Sequence, residues 1–317
     1  MEIYPLILSS LAPLHPGSGR SPGIVDLPVI KDPMGYPLIP GTMIKGSLKT
    51  RLALKHNCLS TNGKGKATTV SCTGNNNICK AICCLLGKDE PGEASRLSIL
   101  DFYPIAVPVP SLEEGVAYIT SPLLLARAQA ILQTATNNPL REFIEKLLEE
   151  ASNRKTALAG NTLLYTGDRS NELHIGLERY TITRINKLVD NSLTKTLEQL
   201  NPIYKAHNPQ ERMLIAGDHI ASKLIERGLI RVTRIALDRK KKTVKTGALW
   251  TEEYIPHGSL FIGGIIDSGW EAGECQLQEN PIDWIFKKAG NGSSITIIIG
   301  GKETVGRGLA RIIRAGG

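Results

Sequence analysis

Aromatic residues are scarce in this sequence, and long apolar runs are absent from it. Phe, Trp and Tyr make up 5% of the 317 residues, which excludes extensive base stacking as a mode of binding. No apolar segment approaches the roughly 18 residues that a membrane-spanning helix needs. The apolar N-terminus carries Glu2 and no basic segment before it, which is typical of a first strand rather than a signal peptide. We therefore expect a cytoplasmic protein with no membrane partner.

Basic residues are in excess. The formal net charge is +8 and the pI is near 9.1. This balance favours a polyanionic partner, although a basic surface without a specific partner is the alternative. Because aromatic residues are few, phosphate and backbone contacts would have to supply most of the affinity for a nucleic acid.

A first glycine loop occupies residues 17–23, with the sequence GSGRSPG. It lacks both common nucleotide fingerprints, because Gly23 is followed by Ile24 and because Pro22 prevents a helix from beginning there. Glycines let backbone N–H groups approach an anion closely. We expect this loop to bind phosphates, and the alternative is a turn without a chemical role. The predicted contacts are Gly17, Ser18, Gly19 and Arg20.

A helix is predicted to follow, from about Thr42 to His56, with Thr42 as its N-cap. The free N–H groups at a helix start favour anions. Lys45 and Lys49 are four residues apart and share one face of this helix. Together with Thr42 and Arg51, they are predicted to bind phosphates.

Two residues beside the first glycine loop have side chains suited to catalysis. A carboxylate at Asp26 could hold a metal ion or position a ribose 2′-hydroxyl, which are roles that RNA cleavage requires. The alternative is an aspartate that caps N–H groups of its own loop. His15 could donate to a phosphate or a leaving oxygen, although a lone loop histidine is more often an ordinary surface residue.

Residues 230–237 and 243–249 are predicted to form a β-hairpin with a basic tip at Lys240, Lys241 and Lys242. Such a ribbon could lie along a nucleic-acid backbone, although a charged tip is usually a solvated turn. Trp250, which follows, is a further candidate for an RNA contact. Alternation places Glu252 and Tyr254 on one face of the second strand.

A second glycine loop occupies residues 300–308, before the last predicted strand. Its Gly306 and Arg307 are further candidates for RNA contacts.

Five of the six cysteines lie between Cys58 and Cys84, in a segment at about 57–93 where no helical or strand period holds. This segment is interpreted as an insertion. A structural zinc ion is one expectation, although the paired C-x₂-C spacing of common zinc modules is missing. Disulfides and free thiols are the alternatives, and a disulfide in a cytoplasmic protein would suggest a hyperthermophile. The candidate zinc ligands are Cys58, Cys72, Cys79 and Cys83.

Strands and helices alternate along the chain without a regular βαβ rhythm, which predicts a mixed α+β fold.

The segments LHPGSGRSPGIVDLPVIKD and GYPLIPGTMIKGSLKTRL resemble the N-terminal signature of the RAMP superfamily in type III CRISPR effectors. The segments RVTRIALDRKKKTVKTGALWTEEYIP and GGKETVGRGLARI resemble the backbone subunits of type III-B (Cmr) complexes. Lys49 stands where the family usually has arginine, and a lysine cannot bind a phosphate bidentately.

The resemblance implies a single domain over residues 1–317: a modified ferredoxin-like (RRM-like) palm with inserted finger regions and a β-hairpin thumb at about 230–250. It implies several copies stacked along a guide RNA in a helical backbone, together with other type III effector subunits. It also implies cleavage of a complementary target RNA at regular intervals with a divalent metal ion, Mg or Mn. The catalytic residues that it implies are Asp26, His15, Glu252 and Tyr254.

Two other functions within the same superfamily stay open. One is a structural RNA-binding backbone subunit that catalyses nothing. The other is an endoribonuclease that processes the guide RNA. A phosphate-binding metabolic enzyme is disfavoured because the nucleotide fingerprints are missing.

Overall fold

A computed structural model describes residues 1–21, 23–61, 67–72, 76–88, 94–135, 138–168, 171–185, 188–238, 240–269 and 277–315. They form a mixed α+β fold, as the sequence predicts. The α-helices are α1 (Gly41–Lys55), α2 (Asn77–Leu86), α3 (Pro122–Leu132), α4 (Pro139–Asn153), α5 (Lys155–Leu158), α6 (Asn191–Leu200), α7 (Asp218–Gly228) and α8 (Pro281–Ala289). The strands are β1 (Glu2–Ser10), β2 (Leu59–Thr61), β3 (Ala67–Val70), β4 (Leu97–Ile99), β5 (Tyr103–Ser111), β6 (Gly115–Thr120), β7 (Thr162–Tyr165), β8 (Glu172–Ile175), β9 (Glu178–Arg184), β10 (Met213–Ile215), β11 (Ile230–Leu237), β12 (Val244–Tyr254), β13 (Leu260–Asp267), β14 (Ser294–Ile298) and β15 (Leu309–Arg314).

An 11-stranded sheet forms the centre of the protein. Its order is β14-β15-β1-β13-β5-β6-β10-β7-β9-β8, and β4 also pairs with β13. The first strand, β1, lies between β13 and β15 and is antiparallel to both. Two small sheets, β2–β3 and β11–β12, stand apart from the large one.

Helices cover both faces of the sheet around β1. Leu6 and Leu8 belong to a core cluster that includes residues of α1, α2 and α8, whereas Ile7 belongs to a cluster with residues of α3, α4 and α6. This division follows from the alternation of side chains along a strand. The centre of the sheet is therefore buried on both sides.

The start of α1 differs from its prediction. The helix begins at Gly41 with Pro40 as its N-cap and without a side-chain cap, so the predicted capping role of Thr42 is wrong. The carboxylate of Asp101 accepts a hydrogen bond from the Gly41 N–H at 2.8 Å. An acidic side chain from the strand region after β4 thus occupies part of the helix start that was expected to attract phosphates.

The part of the cysteine-containing segment that the structure describes includes the helix α2, although no helical period was found there in the sequence. Cys58 is bonded to Cys79 and Cys72 to Cys83, and the paired Cα atoms are 5.4 and 5.7 Å apart. The expected zinc site is therefore wrong, because a sulfur in a disulfide is not the thiolate that zinc binds. The first bond attaches α2 to the segment that follows α1, and the second attaches it to the segment that follows β3. Ile82 of α2 is fully buried in the core that it shares with α1.

The hairpin at the predicted position is present as β11 and β12, which pair from Ile230 opposite Tyr254 towards the tip. At the tip, the carboxylate of Asp238 accepts hydrogen bonds from the N–H groups of Lys240 and Lys241 at 2.9 and 3.0 Å. This capping fixes the turn and leaves the lysine side chains exposed.

Within the described ranges, no helix combines the length and the apolar character that crossing a membrane requires.

Candidate functional site

The two glycine loops meet at His15. The N–H of Gly301 donates to the carbonyl of His15 at 3.1 Å, and Gly300 forms a β-bridge with the same residue. A Cβ atom at Gly300 would lie 2.3 Å from the His15 carbonyl oxygen, and its φ is +80°. This approach needs glycine for both its space and its backbone conformation.

The side chain of His15 is enclosed by these loops and only 6% exposed. Its Nδ1 lies 2.7 Å from the carbonyl oxygen of Glu253. Because a carbonyl can only accept, Nδ1 carries the proton and donates it. The other nitrogen, Nε2, faces Gly17, where an added Cβ would be 2.8 Å away.

Asp26 is exposed at the end of the first glycine loop. Its Oδ2 accepts a hydrogen bond from the N–H of Thr251 at 2.7 Å, so the acid contacts β12 rather than capping its own loop. The following residue, Leu27, donates to the Thr251 carbonyl and accepts from the Glu253 N–H, both at 3.0 Å. The backbone beside Asp26 is therefore attached to the base of the hairpin.

Glu252 is 2% exposed and lies at the centre of a charged network. Lys302 and Arg234 pair with its carboxylate at 2.5 and 3.3 Å. The indole N–H of Trp250 donates to it at 2.7 Å, and the hydroxyl of Tyr254 donates to it as well. Burial alone would raise the pKa of Glu252, but hydrogen bonds from Lys302, Tyr254 and Trp250 outweigh it and lower the pKa to about 2.

Tyr254 is fully buried beneath the second glycine loop. Its ring centre lies 5.4 Å from that of His15. The guanidinium of Arg307 lies 4.9 Å from the centre of the same ring, a cation–π contact. Arg307, which was predicted to contact RNA, thus also joins its loop to the base of the hairpin.

The structure brings all four predicted catalytic residues to one junction, but it exposes only one of them. Asp26 can contact a nucleic-acid strand directly, whereas His15, Glu252 and Tyr254 are buried behind it. Three charged members of this junction were not predicted: Lys302, Arg234 and Glu253. Lys302 could have been found from its place in the second glycine loop. Arg234 could have been found because it lies opposite Trp250 in the hairpin.

Lys45 and Arg51, which are among the predicted phosphate contacts on α1, form hydrogen bonds within the protein. Lys45 is half-buried and donates to the hydroxyl of Ser95 at 2.6 Å, and burial, followed by the nearby Lys49, lowers its pKa. Arg51 instead donates its Nε–H to the carbonyl of Ala289 at the end of α8, at 2.5 Å. Arg51 thus joins α1 to α8, and its predicted contact with phosphate stays a prediction.

Several other predicted RNA contacts are exposed, whereas Gly17, Lys49 and Trp250 are partly buried. Ser18, Gly19 and Arg20 are exposed, as is Gly306. The lysines at the hairpin tip are exposed too. Among the residues that the structure describes, no group of three or more His, Cys, Asp or Glu side chains is arranged to hold a metal ion.

Comparisons with known proteins agree with this architecture. The model of the RAMP superfamily matches residues 7–311. The chain is 27% identical over 323 residues to "CRISPR system CMR subunit Cmr4" of Saccharolobus solfataricus, covering 98% of this chain and 96% of that protein. It is 29% identical over 315 residues to "CRISPR system Cmr endoribonuclease Cmr4" of Pyrococcus furiosus, covering 98% of this chain and 95% of that protein.

The fold is also similar to that of solved structures. A chain of the type III-B Cmr-beta complex bound to cognate target RNA superimposes with a TM-score of 0.73 at 24% identity, covering 99% of this chain and 98% of that one. A chain of oligomeric Cmr4 from Pyrococcus furiosus gives 0.60 at 23% identity, with coverage of 99% and 98%. Because the sequence identities are below 25%, these superpositions show only that the fold is shared.

Proposed function

Because this chain belongs to the RAMP superfamily, we propose that it is a guide-RNA-binding backbone subunit of a type III-B effector complex and cleaves the target RNA paired with the guide. The names of both relatives support this function: one is a subunit of a Cmr system and the other a Cmr endoribonuclease. The partners are the guide RNA, the target RNA, further copies of this chain and other subunits of the complex. Similar chains come from a complex bound to target RNA and from an oligomer.

One observation carries the proposal. An exposed carboxylate, Asp26, lies where the two glycine loops and the base of the hairpin converge. The first glycine loop, which precedes it in the chain, exposes Ser18, Gly19 and Arg20. Backbone N–H groups and basic side chains of this kind contact phosphates and sugars without reading bases. Sequence choice would then come from pairing between guide and target, so the protein needs no base-specific contacts.

In the proposed reaction, a 2′-hydroxyl of the target RNA attacks the neighbouring phosphate and gives up its proton to solvent. As the bond from the 2′-oxygen to phosphorus forms, the bond from phosphorus to the 5′-oxygen of the next nucleotide breaks. That oxygen takes a proton from solvent, so the products carry a 2′,3′-cyclic phosphate and a 5′-hydroxyl. Asp26 positions that hydroxyl, since it is the exposed acid of the junction. The buried residues act through the scaffold: His15 joins the two loops, and Glu252 with Tyr254 fixes the base of the hairpin. The hairpin would displace one nucleotide so that attack can be in line.

A divalent ion fits this site only if it is shared with the RNA. Asp26 supplies a single carboxylate, and Mg²⁺ commonly binds through one or two carboxylates together with substrate phosphates and water. Such an ion, when bound, would stabilise negative charge on the phosphate. Glu252 is a poor candidate for a second ligand because Lys302 and Arg234 already pair with it.

We further interpret the region around β1 as the ferredoxin-like palm. Along the chain, β1-α1-β4 and β13-α8-β15 make two βαβ halves, and the spatial order β15-β1-β13-β4 fits that motif. The disulfide-bonded segment with α2 then corresponds to a finger, and the hairpin β11–β12 to the thumb.

Replacing Asp26 by asparagine tests the function. The amide oxygen of Asn can still accept from the Thr251 N–H, so the loop keeps its anchor while the charge is lost. In a reconstituted complex we expect Asp26→Asn to abolish target cutting and leave guide binding intact. Asp168→Asn, at another exposed aspartate, should cleave normally. Normal cutting by Asp26→Asn would indicate a non-catalytic backbone subunit, and loss of assembly would indicate a structural role for Asp26.

A further inference from the structure

Glu253 is a second buried acid at the base of the hairpin, and its carboxylate contacts the loop that carries Asp26. The residue is 1% exposed. Its Oε2 accepts from the N–H of Val29 at 3.3 Å and pairs with Lys31 at 3.4 Å. Its Oε1 pairs with Nε of Arg231 on β11 at 3.2 Å.

The ion pairs alone do not explain why this buried position is occupied by an acidic residue. Burying charges costs free energy, and a buried ion pair often stabilises a fold no more than apolar residues of similar size would. What the carboxylate adds is a directed bond to one backbone N–H of the loop, three residues after Asp26. Leaving that buried N–H without a partner would cost free energy, because the group would lose its hydrogen bonds to water without gaining one in the protein.

Two groups of Glu253 hold the same short segment. Its backbone N–H donates to the Leu27 carbonyl, and its carboxylate accepts from the Val29 N–H. A shift of one residue along a strand turns every side chain to the other face. Fixing both Leu27 and Val29 against β12 therefore fixes the direction in which Asp26 points. The carbonyl of Glu253 also accepts from His15, so one residue orders both loop positions.

We propose that Glu253 is a positioning residue for target cleavage: through its bond to the Val29 N–H, it holds the Asp26 segment in register with β12. This inference rests on the proposed function, because it acts through Asp26. What matters is the reach of the side chain to Val29 more than its charge. The two properties can be separated by substitution.

Glu253→Asp keeps the charge but shortens the side chain by one methylene, so the carboxylate withdraws from Val29. Glu253→Gln keeps the reach, and its amide oxygen can still accept from that N–H. In single-turnover assays with reconstituted complex, we expect Glu253→Asp to slow cleavage at saturating target by about tenfold or more, since a 1 Å misplacement can cost roughly 100-fold. The target concentration for half-maximal rate should change little. Glu253→Gln should retain most of the rate.

Glu226 provides the matched control. It pairs with the same two cations, Lys31 and Arg231, at 3.4 and 3.6 Å, from a position that is 53% exposed. Glu226→Asp should leave the rate within about twofold of the native value. Amide exchange across residues 25–31 should be faster in Glu253→Asp than in Glu253→Gln, at similar global stability.

Three outcomes would overturn the inference: equal rates for both Glu253 variants, a slow Gln variant beside a normal Asp variant, or parallel losses of target affinity and rate. Including Asp26→Asn separates this inference from the proposed function. If Asp26→Asn still cuts, the proposed function has failed. If it is inactive while Glu253→Asp cuts normally, only the positioning role has failed.

Discussion

The carbonyl of His15 accepts a hydrogen bond from the N–H of Gly301, and this contact joins loops from opposite ends of the chain. The two loops were predicted separately, the first to bind phosphates and the second to contact RNA. Their contact makes them one surface, with Asp26 at its edge and the hairpin base behind it. A proposed RNA site built in this way depends on the close approach at Gly300.

Gly300→Ala should therefore destabilise the protein more than other substitutions at glycines of positive φ. The added Cβ would meet the His15 carbonyl oxygen at 2.3 Å, in addition to the backbone strain of φ +80°. We expect a loss of about 2–4 kcal/mol in the free energy of unfolding. Gly306→Ala is the control, since its φ is +75° but nothing lies within 4 Å of its Cβ. It should lose only about 1 kcal/mol. Equal losses in urea unfolding would contradict the proposed crowding at His15.

The disulfides predict a stability that depends on redox conditions. Cys58 and Cys79 are 21 residues apart, and closing a loop of that length stabilises a fold by about 3 kcal/mol. The double variant Cys58→Ala/Cys79→Ala should unfold at lower denaturant concentration by that amount. A reductant should lower the native protein's stability further than it lowers the variant's.

Metal analysis completes this test. About one equivalent of zinc in purified protein, with stability lost on chelation and unchanged on reduction, would restore the zinc expectation and refute the disulfides.

The charged network around Glu252 predicts a specific pH dependence. Its folded-state pKa is about 2, below the ordinary value of 4.5. The stabilisation is thus fully present above pH 4.5 and is lost as the pH falls towards 2. The difference in unfolding free energy between native protein and Glu252→Gln should shrink by about 2 kcal/mol between pH 6 and pH 3. Lys302→Met, which removes the first partner instead, should weaken the same dependence. A difference that stays constant across this range would refute the network's effect.

Sequence patterns predicted the elements whose signals are local. The apolar N-terminal segment predicted β1. Alternation placed Glu252 and Tyr254 on one face, and the hydroxyl of Tyr254 does donate to Glu252. The basic turn between two strand-like segments predicted the hairpin. What these patterns share is that each depends on residues close together in the chain.

Contacts between distant residues could not be predicted in this way. The spacing of Cys58, Cys72, Cys79 and Cys83 is compatible with zinc ligands or with disulfides, because the choice depends on which sulfurs the fold brings together. The helix α2 lies among these cysteines and was missed. Likewise, Asp101 replaces the expected cap of α1 from outside the helix. The pairing of Lys302 with Glu252 is a contact of this kind: the second glycine loop marks Lys302 as a candidate, but only the fold shows which acid it contacts.

The exposed lysines of the hairpin tip should contribute to RNA affinity through charge alone. Asp238 fixes the turn through backbone N–H groups, so Lys240, Lys241 and Lys242 can change without loss of the turn. We expect the triple change to glutamine to leave the unfolding free energy within about 0.5 kcal/mol of the native value. It should weaken binding of a guide-length single-stranded RNA and reduce the slope of log affinity against log salt by roughly 2, since each neutralised phosphate contributes about 0.7.

The control changes three exposed lysines elsewhere, Lys146, Lys195 and Lys205, and removes the same charge. Because exposed charges beyond about 10 Å are screened at 0.1 M salt, the control should change the slope much less. Equal effects of the two triple variants would mean that net charge, and not the hairpin, attracts the RNA.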